Sequence, residues 1–508
     1  MNDRYCHILR TMFITFMAFA VNYGINLVLT PYITETVGVE AYGFVTLARQ
    51  FVQYAMIATS AIDSFAARYI AISYHSKNIK RAEEYFSSVF FADLIVSGAI
   101  AIVSLLADIF LDRLLHISAA LIWDVKTLFF FVIINFFVST IFTVFGSAAY
   151  VVDRLDITGI FKGISYLAEL LSLVLLYAVF PARVYYIGIG MLTATMIIAL
   201  SNLAITLKYI PSVKIHRAAV SLSAVYKLFL AGVWNSVNAL GGLLNNGLDL
   251  IIGNLMLTPL AMGQIAIAKM ILTACESLNI MAAMPFQPQF LKKYAEKDMR
   301  GLMKDLKLSM KISGFMGNLA FAGFAALGIT FYQLWIPSQD ISTIYVLTLI
   351  SLLTLIPGGS MRPLYYIYVL TIKNRLPSMI TIAGGVANVL GMYFLIKYTG
   401  LGVYSVVWTT VVVMFVINFG TNPLYMAHVL KQPLFTFYPN LFRNVISCCV
   451  MTIVFCQMER IIKPDGILSL VISALLMSLV GLVIHVLIVF DRDEWKQMWQ
   501  YVVKHFDI

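Results

Sequence analysis

Charge is what this sequence has least of. Only 12% of its 508 residues are Asp, Glu, Lys or Arg, about half the share found in a soluble domain. Most of the chain therefore lacks a water-facing surface. Cysteine is scarce too, with five residues: Cys6 lies near the start, Cys275 within an apolar run, and Cys448, Cys449 and Cys456 together in another. None falls in an exported loop, so no disulfide is expected. No Cys or His cluster has the spacing of a metal site. A Gly-rich loop ending in Lys-Ser or Lys-Thr is missing, which excludes an ATP-driven pump within this chain. The longest outer loop is about 18 residues, 107–124, too short for an external catalytic domain. No cofactor is implied, and an enzyme is not expected.

What the chain does have is hydrophobic length. Hydrophobic residues make up 61% of it, and mean hydropathy is +0.88. The apolar residues fall in runs of roughly 20 or more, enough to cross about 30 Å of hydrocarbon as a helix. Without water to satisfy backbone amides, only helices or a closed barrel can span, and unbroken runs exclude the barrel's alternation. The fold class is an all-α polytopic membrane protein. Fourteen spans are expected, near 11–33, 43–72, 85–106, 125–147, 157–180, 185–207, 228–254, 263–286, 308–333, 341–371, 377–397, 403–429, 441–458 and 466–490. The first is too long for a signal-peptide core and reads as a retained anchor.

Basic residues set the orientation. Most of the 35 Lys and Arg fall in loops on the side of the N-terminus, Lys77, Lys80, Arg81, Lys297, Arg300 and Lys311 among them. The opposite loops hold only Arg113, Lys126, Arg183, Lys397, Arg460 and Lys463. The positive-inside rule then puts both termini in the cytoplasm. The formal charge of +10 is a topology signal, and scattered basic loops argue against nucleic acid as a partner.

YGFVTLAR (42–49) and MGQIAIAK (262–269) match at an offset of 220, which also aligns Lys77 and Lys80 with Lys297 and Arg300. Six spans separate the copies, and an even number gives them the same orientation. That predicts two parallel pseudo-symmetric six-helix bundles, residues 1–215 and 216–435, with two further helices and a tail in 436–508. Twin bundles suit a transporter that rocks about a central cavity.

The matching stretches end on Arg49 and Lys269, each about 10 Å below the outer end of its span. A lipid-facing charge costs roughly 2.5–3.5 kcal/mol there, so a wet cavity is the expected environment. Snorkelling to outer headgroups is the alternative. Arg49, Gln53, Ser60 and Asp63 share one helical face, as do Lys269, Thr273 and Glu276. Asp249 offers Lys269 a structural partner, whereas its equivalent Asn26 cannot neutralise Arg49, so Arg49 is expected to be the ligand-seeking cation. Arginine's planar fork suits phosphate. PGGSMRP (357–363) predicts a break in the tenth span around Arg362, a substrate or gate residue. Arg49, Gln53, Lys269 and Arg362 are thus the substrate-binding candidates. Among the mid-membrane carboxylates Asp63, Glu169, Asp249 and Glu276, the last two are the candidates for coupling to H⁺ or Na⁺.

TPYITETVGVEAYGFVTLARQF (30–51) resembles the stretch joining the first two spans in bacterial polysaccharide flippases of the multidrug/oligosaccharidyl-lipid/polysaccharide exporter superfamily. The likeness rests on Thr30, Pro31, Gly38, Glu40, Tyr42 and Gly43, with the two glycines expected to flank a tight outer turn. It implies a MATE-like, alternating-access flippase of the bacterial inner membrane. Its substrate would be undecaprenyl-diphosphate-linked glycan for O-antigen and lipopolysaccharide, capsule or exopolysaccharide, with membrane lipids and glycan polymerase machinery as partners. A drug or organic-cation antiporter, a peptidoglycan-precursor flippase and a membrane glycan polymerase are the alternatives.

Overall fold

Buried in hydrocarbon, a backbone has only itself to bond with, and among the described residues no strand forms. The computed structural model describes Met17, residues 21–371, residues 375–491 and Glu494. Residues 21–36 form α1. The chain continues through α2 (Val39–His75), α3 (Ile79–Ile109), α4 (Ile122–Ile141), α5 (Leu155–Val179) and α6 (Tyr186–Tyr209). Next come α7 (Leu222–Asn246), α8 (Pro259–Ala295), α9 (Met299–Trp335), α10 (Ile341–Tyr368) and α11 (Arg375–Tyr398). Last are α12 (Tyr404–Val429), α13 (Tyr438–Ile462) and α14 (Ile467–Val489). Among the described residues, 12 helices are long and apolar enough to cross a membrane. The expected first span, 11–33, lies partly outside the described residues. The seventh is a helix of 25 residues, but Asn235, Asn238, Asn245 and Asn246 make it too polar to be among the twelve.

The 220-residue repeat holds in the backbone. α2 and α8 are both 37 residues long, and both are followed by a left-handed lysine, Lys77 (φ 60°) and Lys297 (φ 59°). The next residues, Asn78 and Asp298, cap α3 and α9 by accepting from the backbone N–H three positions on, as short polar side chains do at helix starts. The repeat glycines Gly43 and Gly263 touch. A Cβ on Gly43 would lie 2.9 Å from the Gly263 Cα, and a Cβ on Gly263 would collide with the Val39 carbonyl. This corrects the reading of the outer turn. Gly38 (φ 107°) makes the turn, while Gly43 lies within α2, where its missing side chain lets another helix approach.

The contacts divide the chain at Gly263 into two compact units. In the first, α2 packs on α3, α4 and α7 over a core that includes Ile62, Ile70, Phe86, Val89, Phe145 and Leu228. α7 crosses α2 so closely at Gly232 that an added Cβ would strike the Ala61 carbonyl. α7 ends at Asn246 and resumes over Asp249–Met256, not unbroken as expected, and the Tyr54 hydroxyl donates to the carbonyl of Gly247 at the gap. In the second unit, α9 packs on α10, α13 and α14, with Ala322, Leu327, Met451, Phe455 and Met477 as the seam for the last pair. Lys311, counted above among loop residues, is 2% exposed within α9 and paired with Asp491 and Glu494.

Candidate functional site

Two polar clusters lie at span depth, one in each unit. In the first, α1, α2 and α5 converge on Arg49. Its Nη1 donates to Asn26 Oδ1 at 2.5 Å, and its Nη2 stands 3.6 Å from Glu169 Oε1. The carboxylate is nearly buried, with a side-chain exposure of 10%, against 33% for the arginine. Arg49 was expected to lack a neutralising partner, and here it has one. The partner comes from α5, 120 positions along the sequence, and no local spacing could have revealed it.

The expected stripe on α2 is shared among several neighbours. Gln53 is exposed. Ser60 Oγ meets Ser236 Oγ of α7 at 2.5 Å, while Asp63 lies beside Asp93 of α3. A helix of this length is gripped on several sides, so residues sharing a nominal face meet different elements. Asp249 is buried in the first turn after the α7 gap, near Tyr54.

In the second unit, Lys269 and Glu276 stand on α8, and the Glu276 carboxylate lies within electrostatic reach of both Arg362 and Lys269. Arg362 opens a 3₁₀ turn, Arg362–Leu364, between two short helical pieces of α10. Pro363 forces that turn, because it has no N–H and its ring clashes with the carbonyl four residues back. The expected break is thus real, centred on Arg362, with Gly358 and Gly359 still helical. The guanidinium is 6.0 Å from the Tyr365 ring centre, and its Nε is buried without a hydrogen-bond partner. Tyr365 donates to Asn418 and accepts from Asn422 Nδ2 at 3.3 Å. A π turn over Val416–Thr421 re-phases α12 so that Asn418 and Asn422 both reach this tyrosine. Such widened turns are common at functional positions.

Sequence reasoning missed Tyr365, Asn418 and Asn422. It also missed the 3₁₀ turn Val144–Gly146 after α4, the counterpart of the break at Arg362. Chemically, the first cluster pairs one cation, Arg49, with a carboxylate of its own unit, and the second sets two, Lys269 and Arg362, within electrostatic reach of one carboxylate.

Comparison with known proteins agrees with this architecture. The family model described as "Polysaccharide biosynthesis protein" matches residues 8–293. The "Uncharacterized membrane protein EpsK" of Bacillus subtilis (strain 168) is 27% identical over 502 residues, covering 96% of this chain and 98% of that protein. Among solved structures, the lipid II flippase MurJ in an inward closed conformation matches with a TM-score of 0.66 at 15% identity, covering 95% of this chain and 98% of that one. A multidrug resistance MATE family transporter of the MOP superfamily, inward-facing, gives 0.62 at 13% identity over 83% of this chain and 99% of its own. The chain belongs to the polysaccharide biosynthesis protein family and is a multi-pass membrane protein with the fold shared by MurJ and the MATE transporters.

Proposed function

We propose that the protein flips lipid-linked oligosaccharide, carrying an undecaprenyl-diphosphate-linked glycan from the cytoplasmic to the outer leaflet of the bacterial cytoplasmic membrane by alternating access. One observation carries this reading: a chain of a polysaccharide biosynthesis family keeps three basic side chains, Arg49, Lys269 and Arg362, at span depth. A diphosphate brings about two negative charges into a layer where each costs several kcal/mol uncompensated. Arginine and lysine supply the countercharge, and the lipid tail stays in the bilayer. With the site empty, Glu169 and Glu276 hold the cations. When the headgroup enters, Gln53 adds a donor beside Arg49, and the diphosphate takes over from the carboxylates. A proton or Na⁺ arriving at Glu276 or Asp249 eases that exchange and couples it to an ion gradient. The lobes that rock are the repeat halves, 1–215 and 216–435, with 436–508 appended.

The test separates a structural ion pair from a binding site. The double variant Arg49→Gln with Glu169→Gln removes both charges of the pair, so it leaves no lone buried charge. It is expected to reach the membrane at wild-type levels while surface polysaccharide in a dependent strain falls more than tenfold. Wild-type polysaccharide from a correctly inserted double variant would remove Arg49 from the site.

Drug or organic-cation antiport is the second reading, favoured by the buried Asp249 and the MATE-like fold. The wider coverage of this chain by MurJ, 95% against 83%, weighs toward a flippase. Overexpression should therefore leave drug tolerance unchanged, and loss of viability on deletion would turn the reading toward a peptidoglycan precursor.

A further inference from the structure

Asp63 of α2 and Asp93 of α3 face each other across the first unit's central hairpin, closely enough to feel each other's charge. Counted from the α2–α3 turn, both lie about 20 Å along the hairpin at 1.5 Å per residue. Asp93 is 0% exposed, and both its carboxyl oxygens and Asp63 Oδ1 are buried without an ordinary hydrogen bond. One turn beyond Asp93, Ser97 is also 0% exposed, and its hydroxyl is likewise unpartnered. Thr59, whose hydroxyl donates to the Met56 carbonyl at 3.3 Å, lies beside Asp63.

Among the described residues, no cation pairs with the two acids. Neither forms an ion pair among the described residues. The other charged groups of α2 and α3 (Glu40, Arg49, Arg68, His75, Lys80, Arg81, Glu83, Glu84 and Asp108) and those of the elements packed on them (Asp124, Lys126, Arg217 and Lys227) form no ion pair with either acid. Two bare carboxylates in apolar packing repel each other and forgo hydration, so the pair must hold a counterion. A proton fits two carboxyls in near contact, whereas a hard metal cation asks for about six or more oxygens. The pair also adjoins a tight crossing. Ala61, two residues before Asp63, presents its carbonyl to Gly232 of α7, and Ser60 meets Ser236.

We propose that Asp63 and Asp93 form a shared proton site, holding one proton between them while α2 is packed as here and exchanging it when α2 leaves α7. The site is separate from Asp249 and Glu276. Its occupancy stands without the flippase reading; only its coupling to transport rests on that reading.

Infrared spectroscopy of the full-length protein in nanodiscs tests this. A protonated-carboxyl band should persist at pH 7.5 in wild type and in Arg362→Gln, and be lost in Asp93→Asn and in Asp63→Asn. Each Asn variant mimics a protonated acid and should stay folded, as thermal unfolding of the same samples will check. A band unchanged by both substitutions would overturn the proposal. Removal of the band by millimolar Na⁺ at constant pH would overturn it in favour of a metal-cation site. In proteoliposomes, either Asn variant is expected to lose at least tenfold of the transport stimulated by an imposed pH gradient while keeping gradient-independent flipping. If the band behaves as expected and no variant or wild type flips lipid, the flippase reading fails and the proton site stands.

Discussion

Gly263→Val is expected to leave little folded protein in the membrane. The first atom of the new side chain would sit on the Val39 carbonyl, and its branches would meet Val39 Cγ1, already 2.6 Å from the Cβ position. A flexible side chain could yield, but a helical backbone cannot. Overpacking in an otherwise intact core costs about 1–3 kcal/mol, and forcing two helix backbones apart costs more, against a total stability of roughly 5–15 kcal/mol. Size-exclusion chromatography in mild detergent should recover under a tenth of the wild-type monodisperse peak. Gly323→Ala is the control, because a Cβ there meets nothing within 4 Å, and alanine is the better helix former. A normal peak from Gly263→Val would mean the approach of Gly263 to Val39 is looser than described.

The second large effect is an asymmetry at Lys311. This lysine is 2% exposed, 2.5 Å from Glu494 and 3.5 Å from Asp491. Removing both acids (Asp491→Asn with Glu494→Gln) strands a buried ammonium and should cost about 3 kcal/mol, the low end for breaking a buried pair, because Asp491 is largely in water. Lys311→Met instead fills the same space with an apolar chain and should cost about 1 kcal/mol or less, since the acids can turn to solvent. Thermal unfolding should therefore drop by several degrees in the acid double variant and scarcely in Lys311→Met. The reverse order would contradict the burial of Lys311. The corner also has a pH signature. Arg443, 2.7 Å from Asp491, holds that carboxyl below the usual range. A depressed carboxylate adds stability that is complete above its unfolded value, near 3.9, and is lost as pH falls through the folded value. Acid below about pH 4 should loosen this corner, and the difference between wild type and the double variant should shrink there.

What could be read in the sequence and what could not divide along physical lines. The helical class follows from the hydrocarbon layer, and the repeat was visible because Gly43 and Gly263, and Lys77 and Lys297, keep one offset through whole helices. Arg362 at a helix break followed from Pro363, whose effect is local. The pairing of Arg49 with Glu169 was hidden because Glu169 stands on α5, and apolar helices say little about which neighbours they choose. Lys311 looked like loop charge because hydropathy cannot tell an exposed lysine from one sealed by acids 180 residues later. The π turn that brings Asn418 and Asn422 to Tyr365 inserts a single residue into an ordinary helical pattern. The misreading of Gly43 as a turn residue has a plain cause: glycine serves both φ freedom and close approach, and only Gly38 needed the former.

The central claim is that cations within the spans carry a diphosphate headgroup. Reconstitution with a fluorescent polyprenyl-diphosphate sugar, followed by quenching of the probe left in the outer leaflet, measures that claim most directly. Wild type and Lys292→Gln, whose side chain is 74% exposed, should equilibrate the lipid between leaflets, with Lys269→Gln and Arg362→Gln at least tenfold slower at equal insertion. Equal rates in all four would contradict the account.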